Sequence, residues 1–249
     1  MSSSNPASDI ETASDRSAVS SSVRPARLLV TLIAALGGVA LVMLAVPRLF
    51  AAIELLDARS VAERAQVDDP KLSNLQLDEA ARALQHALAW QEDADLAALL
   101  STVRLRQASR AETADRGAER LTQSSEAAKR AIRQSPAHPT AWTLLAMSLE
   151  ASDSRQPQFI AALQRAIAVA PFDPRFLVPR VEMACRFWHR IDSPTRKLVA
   201  AEVRILAGRD LRALATLAKR SYGLEPVRAA LADEPALLDH FDALYVTLP

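Results

Sequence analysis

The sequence predicts an all-α protein: one membrane-spanning helix, then an array of helical hairpins closed by a C-terminal helical cap. Three observations carry this. Apolar residues recur at intervals of three and four along the chain after residue 70, with no sustained two-residue alternation and no Asn-Gly or Asp-Gly turn. An uninterrupted run of uncharged residues extends from 28 to 47, bracketed by Arg27 and Arg48. Glycine is scarce, with five in 249 residues, and two of those five, Gly37 and Gly38, sit inside the apolar run.

Residues 1–27 begin with a Ser-, Ala- and Asp-rich stretch that has no apolar cluster able to offset the entropy of ordering, so they are expected to form a disordered tail. The stretch 28–47 would span roughly 30 Å as a helix, matching the hydrocarbon thickness of a bilayer. It leaves no polar stripe for a water-facing side, which argues against a buried core helix. Arg24 and Arg27 crowd its N-terminal side, whereas Arg48 is soon joined by Glu54 and Asp57. The local arginine density places the N-terminus in the cytoplasm and the rest of the chain beyond the membrane. Ala34 and Gly38 form a small-xxx-small pair through which two copies could approach as a homodimer.

Residues 48–70 are expected to form a helical stalk and linker, ended by the Asp-Asp-Pro at 68–70. The domain proper is 71–249. Its first helix is predicted over 77–90, with Leu77, Ala80, Ala81, Leu84 and Leu88 on one face. Asp93 is placed to cap a second helix running through Arg106, and a third follows over 118–134. Towards the C-terminus, Ser193 and Pro194 open a helix ending near Gly208, and shorter helices over 211–219, 225–232 and 235–245 form the cap.

The middle of the chain repeats. Residues 128–142 align with 163–177 at an offset of 35, superimposing Arg130, Ala131 and Ile132 on Arg165, Ala166 and Ile167. Pro136 falls on Pro171 and Pro139 on Pro174, each first proline where a helix must stop and each second one where the next begins.

These residues resemble the tetratricopeptide repeat family, whose unit is an antiparallel helix pair of about 34 residues. Trp142, Leu145, Ala146 and Leu149 fall on that family's first-helix pattern, and Ala166 and Pro171 on its later Ala and terminal Pro. The array is degenerate, with Pro179 and Arg180 standing where the next unit would carry Leu. The resemblance implies that Thr143, Met147 and Glu150 line a concave groove that receives a partner protein. It extends to bacterial proteins whose single N-terminal helix tethers such repeats to the inner (cytoplasmic) membrane. These act as scaffolds or accessory subunits in envelope assembly, including surface-polysaccharide synthesis and secretion.

Composition narrows the chemistry. Gly117, Gly208 and Gly223, the only glycines after Arg48, are too isolated to build a phosphate loop, a dinucleotide fingerprint or a nucleophile elbow. A net charge of +1 argues against nucleic acid as partner, and the single Cys185 excludes an intrachain disulfide and a cysteine-only metal cage. Glu182, Cys185 and His189 share one helix face, but one face rarely converges three ligands on an ion. No enzyme activity and no cofactor are therefore expected. Phe172, Phe176, Phe187 and Trp188 cluster with Arg186 and Arg190, and the exposed part of that cluster, Arg186, Trp188 and Arg190, is a second candidate partner surface. The run 104–120 mixes both charge signs and reads as a wet helix face broken near Gly117. The function expected is a membrane-anchored protein-interaction scaffold. The alternatives are a polysaccharide-binding membrane module and a metal-dependent accessory enzyme.

Overall fold

A computed structural model describes residues 34–39, 42–43, 55–67, 69–153 and 157–248. The expected tail at 1–27 and most of the candidate span at 28–47 lie outside the described residues. The parts of the span that are described, 34–39 and 42–43, are helical with exposed side chains. Among the described residues no helix is long and apolar enough to cross a membrane. The chain divides into two compact units, Met1–Ala52 and Ile53–Pro249.

The second unit is all-helical over its described residues. We label its helices α1 (described over 55–66), α2 (Asn74–Trp90), α3 (Ala94–Ser109), α4 (Ala114–Gln134), α5 (Pro139–Asp153) and α6 (Pro157–Val169). They are followed by α7 (Leu177–Arg186), a 3₁₀ turn at Trp188–Arg190, α8 (Ser193–Arg209), α9 (Leu211–Ser221), α10 (Leu224–Leu231) and α11 (Pro235–Thr247).

Side chains start these helices. The Ser73 hydroxyl accepts from the Gln76 amide at 3.2 Å while the Gln76 side chain accepts from the Ser73 amide at 3.0 Å, a reciprocal cap that opens α2 three residues before the apolar pattern does. Asp93, Asp192 and Asp210 each accept the N3 amide of the following helix at 2.9 Å. Thr113 caps α4, which carries that helix back through Gly117. His138 caps α5 through its ring: Nδ1 accepts from the Ala141 amide at 3.2 Å, so Nε2 carries the proton toward Asp95, 3.0 Å away.

Packing sorts the helices into two layers. α3 packs on α5, α7 on α9 and α9 on α11; on the other side α6 packs on α8 and α8 on α10, while successive helices from α3 to α6 pack as hairpins and α2 lies on α3. Small residues line these helices. Ser101, Ser124 and Ser148, all buried, join α3, α4 and α5 through hydroxyl contacts of 3.0 and 2.8 Å, and alanines 97, 98, 127, 128 and 131 of α3 and α4 are buried in the core. Each hydroxyl that approaches an apolar core here has a partner, and helices lined with Ala and Ser approach closely.

The second unit of the repeat departs from the first. Pro139 opens α5, but its counterpart Pro174 opens nothing, and α7 begins three residues later at Leu177. The reason lies in the turn. Phe172 adopts φ 71°, a left-handed conformation unfavourable for an aromatic residue, and its amide donates to Glu202 Oε1 at 3.3 Å. Delaying the helix puts Pro179 in its first turn, where the missing N–H is not needed. Arg180, one residue on, is fully buried and donates to Glu202 at 2.5 Å and to the Ala170 carbonyl at 2.8 Å. Burial pushes the Glu202 carboxyl above its ordinary range against the pull of Arg180.

Two stability predictions follow from these contacts. Removing one partner of a buried pair strands the other charge, so Glu202→Ala should lower unfolding free energy by about 3–5 kcal/mol in urea titration, whereas the apolar pair Arg180→Met with Glu202→Leu should come close to wild type. Gly223 faces a different constraint. Tyr222 holds the left-handed cap of α9 at φ 56°, while a Cβ at Gly223 would lie 2.6 Å from Cys185 Cβ and 2.9 Å from its sulfur. Gly223→Ala should therefore cost about 1–3 kcal/mol of overpacking, read as a fall in thermal midpoint.

Candidate functional site

The first layer is interrupted at one place. α5 and α7 are not a closely packed pair, although α3 with α5 and α7 with α9 are. A cleft of about 470 Å³ opens there, lined by α3, α5 and α7 and by Ala65 and Gln66 at the end of α1. Leu144, Met147, Phe176, Pro179 and Met183 give it an apolar floor, and Arg106, Arg175, Arg186, Glu150 and Glu182 surround that floor with charge. Two methionines in one floor suit a surface that must adapt to a shape, because the thioether side chain is unbranched and polarisable.

A chain of charges crosses the gap. Arg186 on α7 pairs with Glu150 on α5 and, at 3.0 Å, with Glu182 one turn back; Arg220 on α9 then grips Glu182 through contacts of 2.8 and 2.5 Å. Three helices of the first layer are thus tied by alternating charge. Burial pushes the Glu150 carboxyl above its ordinary range, Arg186 pulls it down, and the neighbouring Glu182 charge adds to the rise. At the α1 end of the cleft, the Gln66 side-chain nitrogen is buried without a hydrogen-bond partner.

The six residues singled out from sequence fall into different settings. Met147, Glu150 and Arg186 line the cleft together. Thr143 is fully buried, its hydroxyl donating to the Pro139 carbonyl at 3.4 Å, and offers no surface to a groove. Met147, one turn further along the same face of α5, is the residue that reaches the cleft. Trp188 is half-buried with the Arg196 guanidinium 5.2 Å from its ring centroid, and Arg190 lies 5.8 Å from the Phe187 ring; neither lines the cleft. The aromatic cluster divides likewise. Phe176 is buried, Phe187 packs edge-on against buried Phe159 at 4.9 Å, and Phe172 is exposed.

Glu182, Cys185 and His189 do not converge. The helix ends at Arg186 and the 3₁₀ turn carries His189 away to an exposed position. Burial holds the Cys185 thiol protonated, with its pKa raised to about 12, and Glu182 is engaged by two arginines. Among the described residues no cluster of His, Cys, Asp and Glu is placed to hold a metal.

Several structural arginines escape a reading by periodicity. In the run 104–120, Arg106 donates to the Ala65 carbonyl at 3.0 and 2.8 Å, and Arg110 to the carbonyls of Leu72 and Asp69, so both clamp the end of α1 and its turn onto α3. Arg104 is buried and donates to Gln107 at 2.8 Å. That stretch is therefore an anchor at Arg104, Arg106 and Arg110 and mostly exposed beyond them. Comparison of the chain with protein-family models, curated proteins and solved structures finds no match.

The cleft carboxyl has a pH signature. A raised carboxyl holds its proton more tightly in the folded chain than in the unfolded one, so its contribution to stability is complete below pH about 4.5 and is lost as pH rises through the folded value. Glu150→Gln removes that loss. The stability of the variant relative to wild type should rise with pH above about 4.5 in chemical denaturation, and parallel curves across that range would refute it.

Proposed function

We propose that this chain is a membrane-anchored interaction scaffold, in which the span at 28–47 tethers a degenerate tetratricopeptide-like array that receives a segment of a partner protein in the α3–α5–α7 cleft. The cleft carries the reading. It is apolar at its floor and charged at its rim, the arrangement that lets a surface bind an amphipathic segment, whose apolar residues give affinity while the charges set register. The proline-paced repeat and the alternation of helices between two layers support the tetratricopeptide-like part. The uncharged run between Arg27 and Arg48 supports the tether, with the N-terminus cytoplasmic and the domain on the outer side of a bacterial inner membrane. Ala34 and Gly38 lie four residues apart on one face of the described helical stretch, and a second copy would approach there. An envelope assembly machine is the setting this organisation suits. Sugar binding finds less support, because Trp90 is the one tryptophan that is widely exposed and the cleft presents no aromatic face beyond the buried Phe176.

The test uses the full chain in its native membrane. A photocrosslinking residue at Ala151, which lines the cleft, should give one adduct of discrete mass, while the same residue at Lys197 on the exposed side of α8 should give none. Met147→Glu should abolish the Ala151 adduct by charging the floor. Equal adducts from both positions, or an Ala151 adduct indifferent to Met147→Glu, would count against the cleft as the binding surface.

A further inference from the structure

Among the described residues, six helices open with a side chain that accepts the amide at their third position, and one of those acceptors is an imidazole. Ser73, Asp93, Thr113, Asp192 and Asp210 serve α2, α3, α4, α8 and α9, and His138 serves α5. A hydroxyl or carboxylate offers an oxygen that still accepts near neutral pH. A neutral imidazole has a single acceptor nitrogen, and a protonated one has none.

The acceptor in the His138 ring is Nδ1, 3.2 Å from the Ala141 nitrogen, and the ring proton on Nε2 faces Asp95 Oδ1 at 3.0 Å. The ring is buried, while the Asp95 side chain is exposed. These two neighbours act oppositely on a second proton: the Asp95 carboxylate favours the charged ring, and the Ala141 N–H aimed at Nδ1 opposes it. The outcome of protonation is fixed by the geometry. A ring carrying Nδ1–H keeps Asp95 and loses Ala141.

The rest of the turn does not share this dependence. The His138 amide donates to the Ser135 carbonyl at 2.9 Å, the Trp142 indole donates to the Pro136 carbonyl at 2.7 Å, and Pro139 has no N–H to satisfy. Ala141 is fully buried, and a buried amide left without an acceptor is costly. Of the helices around the ring, α3 brings Asp95 to it and uses Asp93 for its own cap. α4 ends with Arg130, held by Glu92 and the Leu88 carbonyl, and with exposed Arg133. α6 carries exposed Arg165, and α5 has no charged residue before Glu150. The other unit of the repeat supplies the contrast. At the offset of 35, Asp173 stands in place of His138, and its carboxylate accepts the Arg175 amide at 3.1 Å. A carboxylate remains an acceptor where histidine gains its proton, between about pH 5 and 8.

We propose that His138 is a pH-sensitive cap: a proton taken up on Nδ1 removes the acceptor of the Ala141 amide, opens the first turn of α5 and leaves the ring held by Asp95. The device is local. It loosens the start of the helix whose later turns carry Met147 and Glu150, while the oxygen-capped helices keep their starts.

Hydrogen exchange of the full chain in detergent micelles tests this, resolved to single amides by mass spectrometry and corrected for the intrinsic pH dependence of exchange. In wild type, protection of the Ala141 amide should fall about fivefold between about pH 8 and about pH 5, the effect of losing one cap. The Leu96 amide, capped by Asp93, should keep its protection over the same range. His138→Asn and His138→Asp retain an acceptor oxygen and do not titrate there, so at least one of them should hold Ala141 equally protected at both ends. Asp95→Asn leaves the cap and removes the attraction, so the wild-type loss should persist with its midpoint moved to lower pH. A wild-type Ala141 amide equally protected at both ends overturns the proposal, as does an acid-induced loss of wild-type size in both His138 variants. An unmoved midpoint in Asp95→Asn overturns the part given to Asp95.

Discussion

The buried pair of Arg180 and Glu202 is the constraint from which the second half of the domain takes its geometry. Both side chains are fully buried, and together they join α7 and α8 to the 166–172 stretch. Arg180 reaches back to the carbonyls of Ala166 and Ala170 at the end of α6, and Glu202 on α8 reaches the Phe172 amide in the turn. An ion pair in such a place stabilises little against an apolar pair of the same volume, because desolvation offsets most of the attraction. What it contributes is direction. Apolar side chains would let the α6–α7 turn take any of several paths, whereas a guanidinium and a carboxylate need these carbonyls and this amide. Phe172 is held in a left-handed conformation as a result, and α7 begins where the network permits.

The first half of the domain is held differently. Ala and Ser line α3, α4 and α5, so their axes approach closely and the three serine hydroxyls form one short chain in the middle. Arginines do the work of attachment at the edges. Arg106 and Arg110 bind carbonyls of the α1 end and its turn, and Arg130 binds the Leu88 carbonyl at the end of α2, so helix C-termini and turns are fastened by guanidinium groups that satisfy backbone acceptors otherwise left open. A chain with 30 basic residues, mostly arginine, and five glycines has this option in place of glycine-closed turns.

This contrast explains what is legible in the sequence. Helix positions can be read because caps are local: Asp93 and Pro139 act within the first turn of the helix they open, and their effect does not depend on the rest of the fold. The repeat is legible for the same reason at Pro136 and Pro171. The start of α7 is not, because it depends on Glu202, a residue thirty positions beyond Phe172 that no local pattern connects to it. Thr143 and Met147 illustrate the same limit within one helix. Both lie away from Trp142, Leu145 and Leu149 in the repeat pattern and one turn apart on the same face, yet Thr143 is fully buried and Met147 lines the cleft, and only packing distinguishes them. The run 104–120 misleads in the opposite sense, since mixed charge ordinarily marks a solvated face and here arginines in it serve backbone carbonyls.

The cleft belongs to this boundary between two kinds of packing. On one side of it α3 and α5 are drawn together by small residues; on the other α7 is placed by a buried ion pair and a turn that begins the helix three residues late. The two rules do not continue into each other, and α5 and α7 are left to meet through side chains. Arg186 spans the difference with a fork long enough to reach both Glu150 and Glu182. Glu150 is the weak member of that bridge, because burial opposes its charge while Arg186 favours it, whereas Glu182 is shared between Arg186 and Arg220. Glu150 is thus the carboxylate of the bridge whose charge burial opposes, and it is the one that joins α5 to α7 across the cleft.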